Sequence, residues 1–260
     1  MANYRDWIDN VDIKVDYFSA FLKAWIAFNA WYNEEIPGKT DKERIENISD
    51  TTNRYKTYMN NLLNSETSEG ISFRESVGGL QDKLRISSIT TQEYIGFSQT
   101  ISFAEIPVRN HNQHKEFDFY RYRYKCVKNK NKNEIETTIL HKKNKIEIFK
   151  FNQDTYNIDI LKQQSSFCEL SSISQEKCLE CYLALCPYKT ESIFDESKTA
   201  IKIGAFNFVN DVGRISRAII TILYLLRCAL AHGDVSPDET SNDVYRYAYE
   251  VLVSPLKKLK

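Results

Sequence analysis

The chain has 260 residues, enough to bury a hydrophobic core in one large domain or two small ones. Hydrophobic residues make up 42% of it and aromatic residues 13%, a composition that excludes an intrinsically disordered protein. The 35 Lys and Arg balance 35 Asp and Glu, which excludes a uniformly basic nucleic-acid-binding protein. No basic segment followed by apolar residues opens the chain, and the six cysteines then indicate reduced thiols. We expect a cytoplasmic protein without a membrane-spanning helix.

The first predicted element is an amphipathic segment of one or two helices at residues 4–35. Apolar residues recur along it at helical spacing and form a wide stripe: Trp7, Val11, Val15, Phe18, Phe21, Leu22, Trp25, Phe28 and Trp31. Asn29 is an amide within that aromatic surface. The simplest interpretation of Asn29 is an exposed or backbone-bonded side chain. Pro37-Gly38 ends the segment.

Two further helices are predicted in the next part of the chain. A strongly polar helix begins at Thr40 or Asp41 and runs to residue 63, with its charged side chains in solvent. Residues 73–84 form a short helix that Gly78-Gly79 breaks with a turn, since this diglycine lacks the spacing of a phosphate-binding loop. Residues 86–101 are rich in β-prone side chains, but their periodicity is ambiguous.

A small antiparallel β-meander is predicted between residues 117 and 151. Residues 117–125 alternate as one strand, with the tyrosines and the basic residues on opposite faces: Tyr120, Tyr122 and Tyr124 against Arg121, Arg123 and Lys125. Residues 135–140 and 146–151 supply two more strands, and Lys- and Asn-rich turns separate the three.

Positive charge is concentrated around this meander. Residues 109–150 contain twelve Lys or Arg and five Asp or Glu, a local net charge of +7. The pattern fits RNA binding, with Arg121, Arg123 and Lys125 contacting phosphates and tyrosines stacking on bases. The alternative is an ordinary half-buried strand, with its tyrosines towards the core and its basic residues in water. His111 and His114 lack the nearby cysteine or carboxylate partners that a metal site requires.

Four cysteines follow the meander: Cys168, Cys178, Cys181 and Cys186. Cys178 and Cys181 have C-x2-C spacing, and four thiols are able to hold a structural zinc ion. Residues 176–185 also fit a helix with both of these cysteines on one face, and free cysteine is a common core residue. We favour the core interpretation and expect no metal and no cofactor.

The last third of the chain is predicted to be helical. An amphipathic helix spans residues 198–210 and turns four residues inward: Ile201, Ala205, Phe208 and Val209. Residues 215–231 are apolar on almost every face, which indicates a helix buried in a soluble protein. Gly233 is a left-handed cap for that helix, and Pro237 prevents its continuation. Residues 242–253 form the final helix, with Val244, Tyr247, Ala248 and Val251 inward.

Arg227 and His232 lie five residues apart near the end of the apolar helix. That spacing corresponds to roughly 140° of rotation and about 7.5 Å of rise, so the two side chains flank one groove. Arginine offers a fork of donors to phosphate oxygens, and histidine takes and gives a proton near neutral pH. The pair suits phosphodiester cleavage without a metal. The simpler alternative is that Arg227 pairs with a carboxylate such as Asp234 or Glu34, while His232 caps the helix end.

Residues 223–234, LYLLRCALAHGD, resemble the end of the last core helix of the HEPN domain family, whose signature is R-x4-6-H. Residues 21–32, FLKAWIAFNAWY, resemble the early helix of bacterial members. The resemblance covers both ends of the chain. It implies a helical bundle that dimerises to bring two Arg/His pairs into one cleft, with Arg227 and His232 catalytic. Asn29, facing the Arg/His groove, and Asp234 are then the supporting polar residues.

The expected fold is mainly α: an HEPN-like helical bundle from residues 1–110 and 153–260, with residues 111–152 inserted as a small, basic antiparallel meander. The resemblance implies a metal-independent endoribonuclease, a toxin or antiphage effector that leaves 2′,3′-cyclic phosphate ends. Its partners would be RNA, a second copy of the chain, and an antitoxin or defence-system protein, with no membrane. The alternative is a non-catalytic HEPN-like module that binds RNA or a nucleotide, or a protein-interaction subunit of such a system.

Overall fold

The computed structural model describes residues 15–91, 99–129 and 134–260, of which 52% are helical and 20% lie in strands. The helices are α1 (Tyr17–Glu35), α2 (Asp41–Asp50), α3 (Arg54–Asn64), α4 (Ser68–Ser87), α5 (Ile158–Lys162), α6 (Ser165–Cys168), α7 (Ser172–Leu183), α8 (Val212–His232) and α9 (Glu239–Leu256), followed by a 3-10 turn at Lys257–Leu259. The strands are β1 (Thr90–Thr91), β2 (Gln99–Thr100), β3 (Ile106–Arg109), β4 (His114–Phe119), β5 (Tyr122–Asn129), β6 (Glu134–His141), β7 (Glu147–Gln153), β8 (Tyr188–Glu191), β9 (Ile201–Ile203) and β10 (Phe206–Phe208). Helices therefore predominate, as the sequence predicts, and the strands form small antiparallel sheets.

The chain divides into two compact units. Unit 1 comprises Met1–Ile106 with Glu191–Lys260, and unit 2 comprises Pro107–Thr190. Unit 2 runs further along the chain than the predicted insertion at residues 111–152. The reason is that helices α5, α6 and α7 follow the meander and share its core.

In unit 1, helix α9 packs against α1 and α4, while α8 packs against α1, α2 and α3. The apolar stripe of α1 is confirmed in part: Phe21, Trp25 and Phe28 are buried and Phe18 and Trp31 are half-buried, but Val15 and Leu22 are exposed. The ring of Phe21 lies 5.3 Å from that of Tyr245 on α9, and the ring of Trp25 lies 6.3 Å from that of Tyr224 on α8. The stripe residues predicted at positions 7 and 11 lie outside the described residues.

Helix α8 is the most buried helix of the described chain, as its composition predicts. Its residues from Ile215 to Leu226 are almost all inaccessible to solvent. By length and hydropathy alone α8 could cross a membrane, but 72% of its apolar window is buried inside the protein. Packing within unit 1 therefore accounts for its apolar character.

Two predicted features of the early helices are wrong. The predicted helix at residues 40–63 is two helices, because Asn53 starts α3 by accepting a hydrogen bond from the Lys56 amide at 2.9 Å. Gly78-Gly79 does not break α4, which runs through both residues. These glycines serve close packing instead: a Cβ at Gly78 would lie 2.9 Å from Gly204 Cα, and one at Gly79 would lie 2.4 Å from the Tyr247 ring.

The prediction of a helix at residues 198–210 is also wrong. These residues form the antiparallel hairpin β9–β10, with Phe206 opposite Ile203. Gly204 takes the left-handed conformation that the turn requires, with φ 59°. The segment is short and apolar, so its residues fit both periods, and only the turn at Gly204 distinguishes the hairpin from a helix.

Unit 2 contains a four-stranded antiparallel sheet in the order β4-β5-β6-β7, which confirms a meander. One core lies between this sheet and α7, and it includes Tyr124, Cys126 and Tyr182. Strands β3 and β8, near the two ends of the unit, pair with each other. The prediction that residues 117–125 form one strand is wrong: β4 and β5 are paired with Phe119 opposite Tyr122. The alternation of aromatic and charged side chains continues across the turn, so the sequence pattern does not indicate where the turn lies.

Candidate functional site

Arg227, on α8, meets a carboxylate from the beginning of α2. Its Nη2 atom lies 3.5 Å from Oδ2 of Asp41, and about a third of each side chain is exposed, 32% and 31%. Thr40 sets the start of α2 at Asp41, because its hydroxyl accepts a hydrogen bond from the Glu43 amide at 3.2 Å. The sequence suggested Asp234 or Glu34 as partners for Arg227, and the structure has Asp41 in that place.

Two residues of α1 hold the same carboxylate. The Tyr32 hydroxyl donates to Oδ1 of Asp41 at 2.9 Å, and the Asn29 amide donates to that oxygen at 3.2 Å. The Asn29 amide also donates to the Tyr32 hydroxyl, and Asn33 donates to Oδ1 of Asn29 at 2.9 Å. Asp41 therefore uses one oxygen for α1 and the other for Arg227. Both α1 residues lie one helical turn apart on the face towards α2.

The protonation states in this network are set by burial and by neighbouring charges. Burial raises the pKa of Tyr32 to about 12, so its hydroxyl remains a donor at any physiological pH. Burial alone would lower the pKa of Arg227, but its contacts with Cys228 and Asp41 hold that pKa above the ordinary value. Arg227 is therefore a permanent cation with its outer face open to solvent.

Asn29 lies where it is able to influence Arg227, although it does so through Asp41. Its side chain is half-buried, and its hydrogen bonds go to Asp41, Tyr32 and Asn33. The interpretation of Asn29 as an exposed or backbone-bonded amide is therefore wrong. Sequence reasoning missed Asp41 and Tyr32 as site residues. An aspartate in the first turn of a helix is common because negative charge is favourable at the helix N-terminus. Its presence at position 41 therefore did not indicate a role in a site.

His232 is the last residue of α8 and is exposed. Directly after it, Gly233 adopts φ 76°, and the amides of Gly233 and Asp234 donate back to Leu230 at 3.3 Å and Ala229 at 2.9 Å. This left-handed cap confirms the predicted helix end and fixes the backbone beside His232. Asp234 is exposed and contributes its backbone amide to the cap. Arg227 and His232 share one helix end, with Arg227 turned to Asp41 and His232 in solvent.

The predicted RNA-binding residues lie in unit 2, and one of them is already paired. Arg123 Nε lies 2.9 Å from Oδ1 of Asp118, and its Nη1 lies 3.2 Å from Oε1 of Glu116. The hydrogen bond to Asp118 raises the pKa of Arg123 and lowers that of Asp118. Lys125 is half-buried opposite Glu116, whereas Arg121 lies exposed in the turn. The three residues do not form a row of free cations.

The tyrosines of this strand divide between core and solvent. Tyr124 is buried and Tyr122 is half-buried against the core of unit 2, as the half-buried interpretation predicts. Tyr120 differs, because it lies in the β4–β5 turn with 80% of its surface exposed.

The cysteines of unit 2 are mainly core residues. Cys178 and Cys181 are buried on one face of α7, next to Cys126 of β5, while Cys168 is exposed. Burial raises the pKa of Cys178 to about 12, so it is a thiol within this core. Within the part of the chain that the structure describes, no three His, Cys, Asp or Glu side chains are grouped to hold a metal ion.

Comparison with family models, curated proteins and solved structures finds no match to this chain.

Proposed function

We propose that this protein is a metal-independent endoribonuclease whose reacting groups are Arg227 and His232. The supporting observation is that Arg227 is a permanent, solvent-accessible cation held by Asp41, at the same helix end as the exposed His232. Unit 1, in which the two ends of the chain build one helical core, is compatible with a bundle of HEPN type. The proposal includes a cytoplasmic homodimer acting as a toxin or antiphage effector beside an antitoxin or defence-system partner.

In the proposed reaction, His232 removes the proton of a ribose 2′-hydroxyl. The 2′-oxygen then forms a bond to the adjacent phosphorus, and the bond from phosphorus to the 5′-oxygen of the next nucleotide breaks. That oxygen takes a proton from a water molecule and leaves as a hydroxyl, and the hydroxide so formed recovers the proton that His232 had taken. The other product ends in a 2′,3′-cyclic phosphate. Arg227 donates to the phosphate oxygens that gain negative charge, and Asp41 holds its guanidinium in place.

The decisive experiment is incubation of the purified protein with total RNA and a transfer-RNA pool in EDTA. The wild type should cleave and leave cyclic phosphate ends, whereas DNA of matching sequence should stay intact because it lacks the 2′-hydroxyl. His232→Ala should lower the rate by about 10²- to 10⁴-fold, the usual contribution of a general acid or base. Arg227→Ala should lower it by about 10²- to 10³-fold, the usual effect of removing one charge-stabilising donor.

Arg217→Ala is the matched control. Arg217 lies on α8 as well, and its Nε is 3.0 Å from Oδ1 of Asp50 on α2, an ion pair without the alignment of a hydrogen bond. The Arg217→Ala variant should cleave RNA at the wild-type rate, because Arg217 is distant along the helix from Arg227 and His232. Equal cleavage by wild type and His232→Ala would refute the proposed chemistry.

The Arg227–Asp41 ion pair favours a second candidate, an RNA-binding or protein-interaction module without turnover. In such a module Asp41 neutralises the charge of Arg227, so Arg227 does not bind a phosphate group. RNA binding by a folded protein that cleaves neither substrate would support this module. Tolerance of His232→Ala together with recovery of a partner protein would support the interaction subunit.

A further inference from the structure

Two turns at one end of the unit 2 sheet bring together an exposed aromatic ring and several cations. We call this surface the basic tip and define it as Tyr120, Arg121, Lys142, Lys143 and Lys145. The turn from β4 to β5 carries the first two residues, and the turn from β6 to β7 carries the three lysines. The turns are adjacent because Tyr122 pairs with His141, and the Lys142 amide donates to the Arg121 carbonyl at 2.8 Å.

The cations of the basic tip are largely free of carboxylates. Lys142 lies 3.8 Å from Asp118, a carboxylate that already holds Arg123 at 2.9 Å. Among the described residues, Arg121, Lys143 and Lys145 form no ion pair, and all three are exposed. Their charge is therefore available to an anion from outside.

The outer face of the same sheet differs in this respect. Lys150 lies 3.1 Å from Glu136 of the neighbouring strand, and Arg123 contacts Glu116 and Asp118. Cations and carboxylates thus alternate across the strands, so this face offers no net positive surface. Four of the cations in residues 109–150 lie in the two turns of the basic tip, namely Arg121, Lys142, Lys143 and Lys145.

Tyr120 gives the basic tip an aromatic platform. Its backbone is left-handed, with φ 48°, and 80% of its surface is exposed. Its ring lies edge-on to Phe119, with 4.6 Å between the centroids, so the orientation of the ring is supported from one side. An exposed aromatic ring among unpaired cations is the combination that binds unpaired nucleotides.

We propose that the basic tip binds single-stranded RNA, with Arg121, Lys143 and Lys145 contacting phosphates and the Tyr120 ring stacking on a base. This inference rests on the proposed function, because it assigns a substrate class to the same protein. A duplex would satisfy the cations but not Tyr120, since its bases are stacked inside the helix. The basic tip therefore distinguishes single strands from duplexes.

The test measures binding of a fluorescent RNA of about 12 nucleotides, the size range of a single-strand site. Fluorescence anisotropy is recorded in EDTA with the full-length His232→Ala protein, so that cleavage does not interfere. Arg121→Ala combined with Lys143→Ala should reduce the slope of log K against log salt by about 1.4, or about 0.7 for each lost phosphate contact. Arg123→Ala with Lys150→Ala is the matched control, because it removes one Arg and one Lys that are paired.

Tyr120 is tested by two substitutions that keep the turn. Tyr120→Asn removes the ring, and asparagine tolerates the left-handed backbone better than most residues. It should weaken binding by about 5- to 100-fold, whereas Tyr120→Phe, which retains the ring, should bind as tightly as Tyr120 itself. The lysine at position 145 is left unchanged because it is also left-handed, with φ 55°.

Each outcome bears on the proposal. A lower slope in the basic-tip pair alone, with weaker binding by Tyr120→Asn, supports it. Equal losses in the basic-tip pair and the control pair, equal affinity for duplex RNA, or binding to anionic vesicles with none to RNA overturns it. If the protein binds RNA through the basic tip but cleaves none, the nuclease proposal is wrong and the binding proposal stands. If the protein cleaves RNA but both tip variants bind RNA as the parent protein does, the binding proposal is wrong and the nuclease proposal stands.

Discussion

At the scale of single residues, Asp41 joins the parts of the site. It receives hydrogen bonds from Tyr32 and Asn29 on α1, and it faces Arg227 on α8. An ionised carboxylate is only an acceptor, so these donors and this cation satisfy it without competition among themselves. The buried Tyr32 hydroxyl depends on Asp41 in turn, because Asp41 accepts its hydrogen bond.

Asp41→Ala is expected to destabilise the protein by about 1–3 kcal/mol, mainly because the buried Tyr32 hydroxyl loses its acceptor. Asp41→Asn should cost less, since the amide oxygen still accepts from Tyr32. The ion pair itself should contribute only about 0.2–1 kcal/mol, because both partners are about one-third exposed. Urea unfolding of the single variants and of the double variant with Arg227→Ala gives these values. If Asp41→Asn and Asp41→Ala unfold at the same urea concentration, the hydrogen bond from Tyr32 has no role.

At the scale of elements, α8 combines a buried body with an exposed C-terminal end. Its apolar residues anchor it among α1, α2 and α3, whereas His232 projects at the last turn. The left-handed Gly233 ends the helix there and satisfies carbonyl groups that would otherwise lack donors. The position of His232 therefore depends on the cap more than on side-chain packing.

Gly233→Ala should destabilise the protein by about 1–2 kcal/mol, the cost of a left-handed backbone for a residue with a Cβ. A Cβ at this position meets no atom within 4 Å, so steric overlap adds nothing. Gly233→Asn should lose less, because asparagine visits this conformation more readily. Thermal and urea unfolding of both variants measure the difference. A larger loss for Asn than for Ala would mean that something other than the backbone conformation governs the site.

At the scale of the whole molecule, the chain builds two units with separate cores. Among the described residues, those in the core of unit 2 all belong to that unit, and they include Tyr124, Ile139, Phe149 and Tyr182. The pairing of β3 with β8 brings together the points at which the chain enters and leaves it. An inserted unit with adjacent ends and its own core has what independent folding requires.

Residues 107–190 produced alone should therefore fold and unfold cooperatively. The measurements are near-UV circular dichroism, which reports on the packed tyrosines, and a urea titration. A fragment without near-UV signal or with a gradual transition would show that its core depends on the rest of the chain. Binding of single-stranded RNA by the folded fragment is then a separate question from its stability.

Much of the local structure was determined by the sequence alone. The stripe of α1, the buried α8 with its Gly233 cap, strands β6 and β7, and the buried cysteine face of α7 all follow from periodic apolar residues and turn chemistry. Such patterns act over one or two turns of chain, so they need no knowledge of the fold. The position of Arg227 and His232 near one helix end belongs to the same class.

Only the tertiary structure decided what those residues meet. The contact of Arg227 with Asp41 joins α8 to α2, and no local pattern marks Asp41 as that partner. The glycines inside α4 pack on neighbours distant in sequence, and the turn at Tyr120 has no local signal. The β9–β10 hairpin is marked locally only by Gly204. Ion pairs and close backbone contacts form between elements that packing brings together. Their partners are therefore selected by three-dimensional proximity, which the order of residues does not reveal.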